Sequence, residues 1–216
     1  MPPLFVLKPF DIDMLKKLTI AVVILVLGAL LGLGVSSWIS GPVAPIALPN
    51  AIETAPRGGD FSLMSADGPF RLQDQRGKVV LIYFGYTFCS DVCPTNLALM
   101  AQALNALTEE ELARVQGLFV SVDPERDKVA QLKKYAHHFH ETMRGVTGSQ
   151  AEVAEIAKRY GAAYRKVEGE SAGGYLVDHS SNTYIIAPDG SLHSILPHAA
   201  PAQQILKITR ELLAKS

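Results

Sequence analysis

The sequence predicts an α/β fold in which a central mixed sheet is flanked by helices. Near-continuous apolar runs, Val79 to Phe84 and Gly117 to Val122, read as strands buried on both faces. Segments of helical character alternate with these runs. The chain then closes with two strand-like runs around Pro188-Asp189-Gly190, a hairpin turn, and a last helix opened by Pro201.

Lys8, Lys16 and Lys17 precede a stretch that carries no charge from Leu18 to Ile52. Residues 18–39 are long and apolar enough for one N-terminal transmembrane helix, with Trp38 at the far interface. The preceding lysines favour an inside N-terminus, 1–17, and place the remainder outside. A cleaved signal peptide is the alternative, which the small residues Ala44 and Ala47 keep open. Residues 40–57 contain four prolines without helical or strand periodicity, as a semi-rigid tether would. Residues 58–216 then suffice for one domain with a proper core. A net charge of −1 gives no reason to expect a nucleic-acid partner.

Within the domain, Phe61 to Met64 and Phe70 to Leu72 flank a turn at Ser65-Ala-Asp67-Gly68 and form an opening hairpin. Val79 to Phe84 follows as a strand. Pro94 to about Leu107 suits a helix, and Thr108 starts a second, short one with Glu109, Glu110 and Glu111 in its first turn. After the strand Gly117 to Val122, Asp127 is placed to cap a helix reaching Phe139. Met143 to Thr147 is a short strand. Ser149 and Glu152 form a capping box for a helix that Gly161 ends. Ala163 to Val167 is strand-like, Glu168 to Gly174 is a soft loop, and strands Ser181 to Ala187 and Ser191 to Leu196 flank the final turn.

The chain has two cysteines, Cys89 and Cys93, between the strand ending at Phe84 and the helix containing Pro94. Pro94 fits a first helical turn and biases Cys93 towards an extended, capping conformation. Both thiols then lie at a helix N-terminus, where they ionise more readily than a free cysteine. A cysteine pair at such a junction, in this order of elements, resembles the thioredoxin fold. Redox catalysts of that fold separate their cysteines by two residues, whereas Ser90, Asp91 and Val92 intervene here. Two thiolates also suit a soft metal, and a structural disulfide would close only a tiny loop.

Six histidines are candidates for a third ligand. His179 opens the predicted strand beyond the Gly-bearing loop, where it can approach the cysteines; a packed or surface histidine is the plainer reading. Two thiolates and an imidazole suit Cu(I), and with a fourth ligand Cu(II) or Zn(II). His137, His138 and His140 fit a solvated helix end as well as a metal tract, Asp123-Pro124 is ordinary turn chemistry, and Asp91 suits a solvated loop. Phe84, Tyr86 and Phe88 shield and support the cysteine loop, and Met64, Met100 and Met143 are scattered core residues.

Phe84-Gly-Tyr-Thr-Phe-Cys89-Ser-Asp-Val-Cys93-Pro94, Ser121-Val-Asp123-Pro-Glu-Arg-Asp127, Val177-Asp-His179-Ser180 and Pro188-Asp-Gly190 together resemble the Sco/SenC family of copper-binding proteins. The motifs occur in family order across the domain, and the N-terminal anchor and tether look like those of its bacterial members. The resemblance implies that Cys89, Cys93 and His179 are copper ligands, for Cu(I) or Cu(II). It implies a metallochaperone in the bacterial inner membrane, single-pass, with its C-terminal domain in the periplasm. Copper would go to the binuclear copper site of cytochrome c oxidase subunit II. Alternatively, Cys89 and Cys93 would act as a redox pair that reduces the cysteines of that site. Either role implies a copper donor or a periplasmic thiol reductant. Ser90 stands where a proline is common, and Asp127-Lys128-Val129 replaces the usual Asp-Thr-Pro.

Overall fold

The computed structural model describes residues 20–23, 25, 56–168 and 174–215. The chain divides into two compact units, Met1–Ala51 and Ile52–Ser216. In the first, the described residues 20–23 and 25 are helical. Among the described residues no helix is long and apolar enough to cross a membrane. The remainder of the predicted span 18–39, the segment 1–17 and residues 40–55 of the tether lie outside the described residues.

The second unit runs β1 (Ser62–Ser65), β2 (Gly68–Arg71), a 3-10 turn (Leu72–Gln75), β3 (Val79–Gly85), α1 (Val92–Asn105), α2 (Glu109–Ala113), β4 (Val115–Ser121) and α3 (Val129–Phe139). It continues with β5 (Arg144–Thr147), α4 (Gln150–Tyr160), β6 (Tyr164–Glu168), β7 (Tyr175–His179), β8 (Thr183–Ile186), β9 (Leu192–Leu196) and α5 (Ala202–Leu213). Seven strands make one mixed sheet in the order β2-β1-β5-β4-β3-β8-β9, while β6 and β7 pair with each other in a separate two-stranded sheet. β3 runs parallel to β4, and β4 to β5; β8 lies antiparallel against β3. This is the α/β, thioredoxin-like arrangement of a mixed sheet and helices that the element order predicts.

The central strand shows why the sheet is covered on both faces. Val79, Leu81 and Tyr83 point into one apolar cluster, with residues of α1, α3 and α5. Val80, Ile82 and Phe84 point into the other, with residues of α4, β1 and β2. All six are at most 1 % exposed. Alternation of side chains along a strand divides a continuous apolar run between two faces, each such side chain contributing about 1.5–3 kcal/mol on burial. β3 and β4 therefore form a rigid floor, and the segments leaving their C-terminal ends meet at the cysteine loop.

Local signals set the helix ends. Ser149 and Glu152 form the expected capping box, Thr108 and Glu111 a second one, and Gly161 closes α4 at φ 67 in the left-handed region open to glycine. Three expectations are corrected. α1 begins at Val92, two residues before Pro94, so Cys93 is inside its first turn and is not an extended cap. Asp127 does not cap α3, whose preceding residue Lys128 makes no side-chain cap; its carboxylate is buried beneath the cysteine loop. His179 ends β7, paired with Tyr164 of β6, and does not open the next strand.

Candidate metal centre

β3 ends at Gly85, and residues 86–91 lead into the first turn of α1. α1 buries Cys93, Asn96, Leu97, Met100 and Leu104, a helical stripe that seats it on the sheet and sinks the Cys93 sulfur. A Cβ at Gly85 would lie 2.6 Å from Cys93 Sγ, so only glycine leaves room for that sulfur against the strand. Asp91 makes no side-chain cap. Instead the Cys93 amide faces Cys89 Sγ at 3.5 Å, so a sulfur takes the place of the usual capping oxygen. This answers the expectation that Pro94 would hold Cys93 outside the helix. The Cys93 amide finds an acceptor, and Pro94 falls where a missing N–H costs little.

His179 completes the group from the end of β7. Its Nδ1 lies 3.1 Å from the Ser180 carbonyl oxygen, which places a ring hydrogen on Nδ1 and turns Nε2 inward. Nε2 is 3.2 Å from Cys93 Sγ. The imidazole is held edge-on by two rings, Tyr83 at 6.1 Å and Tyr86 at 5.7 Å between centroids. One ligand atom each from Cys89, Cys93 and His179 lie within 4.8 Å of one another. Bonds of roughly 2.0–2.3 Å from a common ion would place three such donors about 3.5–4 Å apart. The set fits a soft metal ion, and among the described residues it is the one group of this kind.

The two thiols are not equivalent. Cys89 is held down to about 3, chiefly because the Cys93 thiol donates to it and secondarily because of His179, against an opposing effect of burial. Cys93 is pushed upward by that same bond to Cys89 and by its own burial. The expectation that both cysteines ionise readily holds for Cys89 and reverses for Cys93. A thiolate beside a buried thiol is the resting form of the pair.

Two aspartates that sequence reasoning gave to caps and turns support this site. Asp127 is fully buried and accepts hydrogen bonds from the Thr87 amide at 3.0 Å, the Thr87 hydroxyl and the Ser121 hydroxyl at 2.6 Å. It thereby fixes the loop two residues before Cys89. Asp123 does make the expected turn, its carbonyl accepting from the amides of Arg126 and Asp127, yet its carboxylate is also fully buried and bound by Arg126 and Tyr175. The available signal was a pair of carboxylates directly after a fully buried strand. On the far side, buried Asn96 reaches the Tyr83 hydroxyl, His198 Nδ1 and the Ala199 amide, tying α1 to the loop before α5.

The other sequence candidates fall elsewhere. Asp91 is exposed at the start of α1. His137 and His138 are exposed on α3, and His140 is buried with Nδ1 accepting from the Thr142 amide. Phe84 and Tyr86 are buried supports, whereas Phe88 is exposed over the Arg126 guanidinium. Met100 and Met143 are core residues; Met64 is exposed.

A family model described as SCO1/SenC matches residues 49–214. The mitochondrial "Protein SCO2 homolog" of Bos taurus is 39 % identical over 158 residues, which cover 72 % of this chain and 59 % of that protein. Arabidopsis thaliana ScoI, solved with copper bound, superposes with a TM-score of 0.67 at 34 % identity, covering 74 % of this chain and 99 % of that one. BsSco, described as having a disulfide switch and as a member of the Sco family of cytochrome c oxidase assembly proteins, superposes at 0.61 with 28 % identity, covering 76 % and 96 %.

Proposed function

The chain belongs to the SCO1/SenC family, and from that membership we propose that it is a copper chaperone that delivers copper to the binuclear copper site of cytochrome c oxidase subunit II during assembly. The observation that carries this reading is the convergence of Cys89 Sγ, Cys93 Sγ and His179 Nε2 within 4.8 Å. Copper is the cargo. Cys89 offers a thiolate, Cys93 a thiol whose proton leaves as the ion enters, and His179 an imidazole whose Nε2 already faces inward. Such a soft three-donor set at the edge of the domain can exchange ligands with a docked acceptor without covalent catalysis. The uncharged residues 18–39 and the lysines before them support a single-pass anchor in a bacterial inner membrane with the domain in the periplasm.

The unequal thiols favour a second reading for the metal-free protein, a thiol–disulfide reductase that keeps the client's copper-site cysteines reduced. The Cys89 thiolate attacks one sulfur of a client disulfide and releases the other as a thiolate. Cys93 then loses its proton and attacks Cys89 Sγ, releasing the second client thiolate. The client disulfide gains two electrons, and Cys89 and Cys93 end as a disulfide. His179 is not required.

Mixing the copper-loaded full-length chain with copper-free subunit II separates the two. Chaperone function predicts stoichiometric copper transfer to subunit II whose cysteines are already reduced, and loss of transfer in His179→Ala. If no copper moves, while the metal-free chain reduces oxidised subunit II equally well with and without His179, the reductase reading replaces it.

A further inference from the structure

β7 lies in the β6–β7 pair and outside the seven-stranded sheet, so no strand pairing among the described residues ties His179 to the elements that carry Cys89 and Cys93. Its placement rests on the inner face of β7 and, on its other side, on Thr183 of β8, four residues on, which pairs with Tyr83 of β3. Alternation along the strand puts Tyr175, Val177 and His179 on that face, all at least partly buried, while Leu176 and Asp178 are exposed. Val177 enters the core beside Tyr86. His179 meets the rings of Tyr83 and Tyr86. Tyr175, about 13 Å from His179 along the strand, is gripped from three directions. Its hydroxyl donates to Asp123 Oδ1 at 2.7 Å, its carbonyl accepts from an Arg126 terminal nitrogen at 2.9 Å, and the Arg126 guanidinium lies 3.7 Å from its ring centroid.

We propose that Tyr175 is a positioning residue for the metal centre: held by Asp123 and Arg126 at one end of β7, it sets where His179 stands against Cys89 and Cys93 at the other. The grip is strong because the Asp123 carboxylate is fully buried and needs donors, which Arg126 and the Tyr175 hydroxyl supply. Arg126 and Asp123 leave the end of β4, beside the cysteine loop. Tyr175 therefore joins the separate hairpin to the floor that fixes the two sulfurs. Without it, copper would be held by the cysteines with the imidazole poorly placed.

The inference rests on the three-donor reading and is tested on the full-length chain carrying Tyr175→Ala, Tyr175→Phe, His179→Ala or both alanines. Cu(II) affinity is read by competition, the nitrogen splitting by electron paramagnetic resonance, and folding by thermal melting. Tyr175→Ala should weaken copper on the order of tenfold, with the nitrogen signal altered and the thiolate-to-copper absorption kept. Added to His179→Ala it should cost nothing further, because no imidazole remains to be placed. Wild-type affinity and nitrogen signal in Tyr175→Ala would overturn the inference. So would an equal loss in the His179→Ala background, which marks a general effect on the fold. Should Tyr175→Ala fail to fold, Tyr175→Phe, which keeps the ring on Arg126 and loses the hydroxyl's bonds to Asp123 and, at 3.5 Å, Glu125, must still weaken copper; no loss overturns it. If His179→Ala itself binds copper like wild type, the three-donor reading fails and takes this inference with it.

Discussion

His179 Nε2 stands 3.2 Å from Cys93 Sγ, although the two residues are 86 positions apart in the chain. Nδ1 is held by the Ser180 carbonyl, so the ring nitrogen facing the sulfur is Nε2. Donors arranged in this way before any ion arrives need little reorganisation to bind one, which favours affinity and rapid exchange alike.

Gly85 is where this arrangement is most easily disturbed. An added Cβ would lie 2.6 Å from Cys93 Sγ and 3.0 Å from Phe119, inside the core. Gly85→Ala is expected to cost about 1–3 kcal/mol of stability by overpacking and to weaken copper binding by displacing the sulfur. Urea unfolding and copper competition check both; wild-type values in both would mean the sulfur moves freely.

Asp127 holds the cysteine loop from below. Removing its carboxylate strands the Thr87 amide, the Thr87 hydroxyl and the Ser121 hydroxyl in a fully buried site. Asp127→Ala should cost about 3 kcal/mol in urea unfolding and lower copper affinity. An unaltered unfolding midpoint would remove Asp127 from the account.

The thiol pair predicts a pH dependence. Cys89 is lowered to about 3, below its unfolded value of roughly 8.5, so its contribution to stability is fully present above the unfolded value and is lost as pH falls through about 3. Cys93 is raised, so its contribution is present below the unfolded value and is lost as pH rises towards its folded one. Between these limits the pair holds one proton, on Cys93. The metal-free reduced chain should retain thiolate absorbance down through about pH 5, and iodoacetamide should label Cys89 in preference to Cys93. Copper must displace the Cys93 proton, so affinity should fall about tenfold per pH unit on acidification. Thiolate absorbance that appears only near pH 8.5, or flat copper affinity across this range, would contradict the assignment.

Features written in neighbouring residues were legible. The β3 run, the Ser149–Glu152 box, Gly161 and the Pro188-Asp-Gly190 turn each depend on a few adjacent positions, and each is found where the sequence places it. What is not legible depends on partners far along the chain. Asp127 has the look of a cap until Thr87, 40 residues earlier, is folded over it. The pairing of His179 with Tyr164 crosses a Gly-rich loop without a strong turn signal, so nothing in adjacent residues separates His179 from the following strand. The bias that Pro94 places on the residue before it puts Cys93 outside the helix, and Cys89 Sγ, by accepting the Cys93 amide, outweighs that bias. Residue chemistry and motif resemblance point to Cys89, Cys93 and His179, and their convergence is a property of the fold.

X-ray absorption at the copper edge of the reduced, copper-loaded full-length chain tests the central claim most directly. The account predicts one copper held by two sulfurs and one imidazole nitrogen, with the nitrogen lost in His179→Ala and copper loading lost in Cys93→Ser. A copper environment without sulfur, or one that Cys93→Ser and His179→Ala leave unchanged, would contradict it.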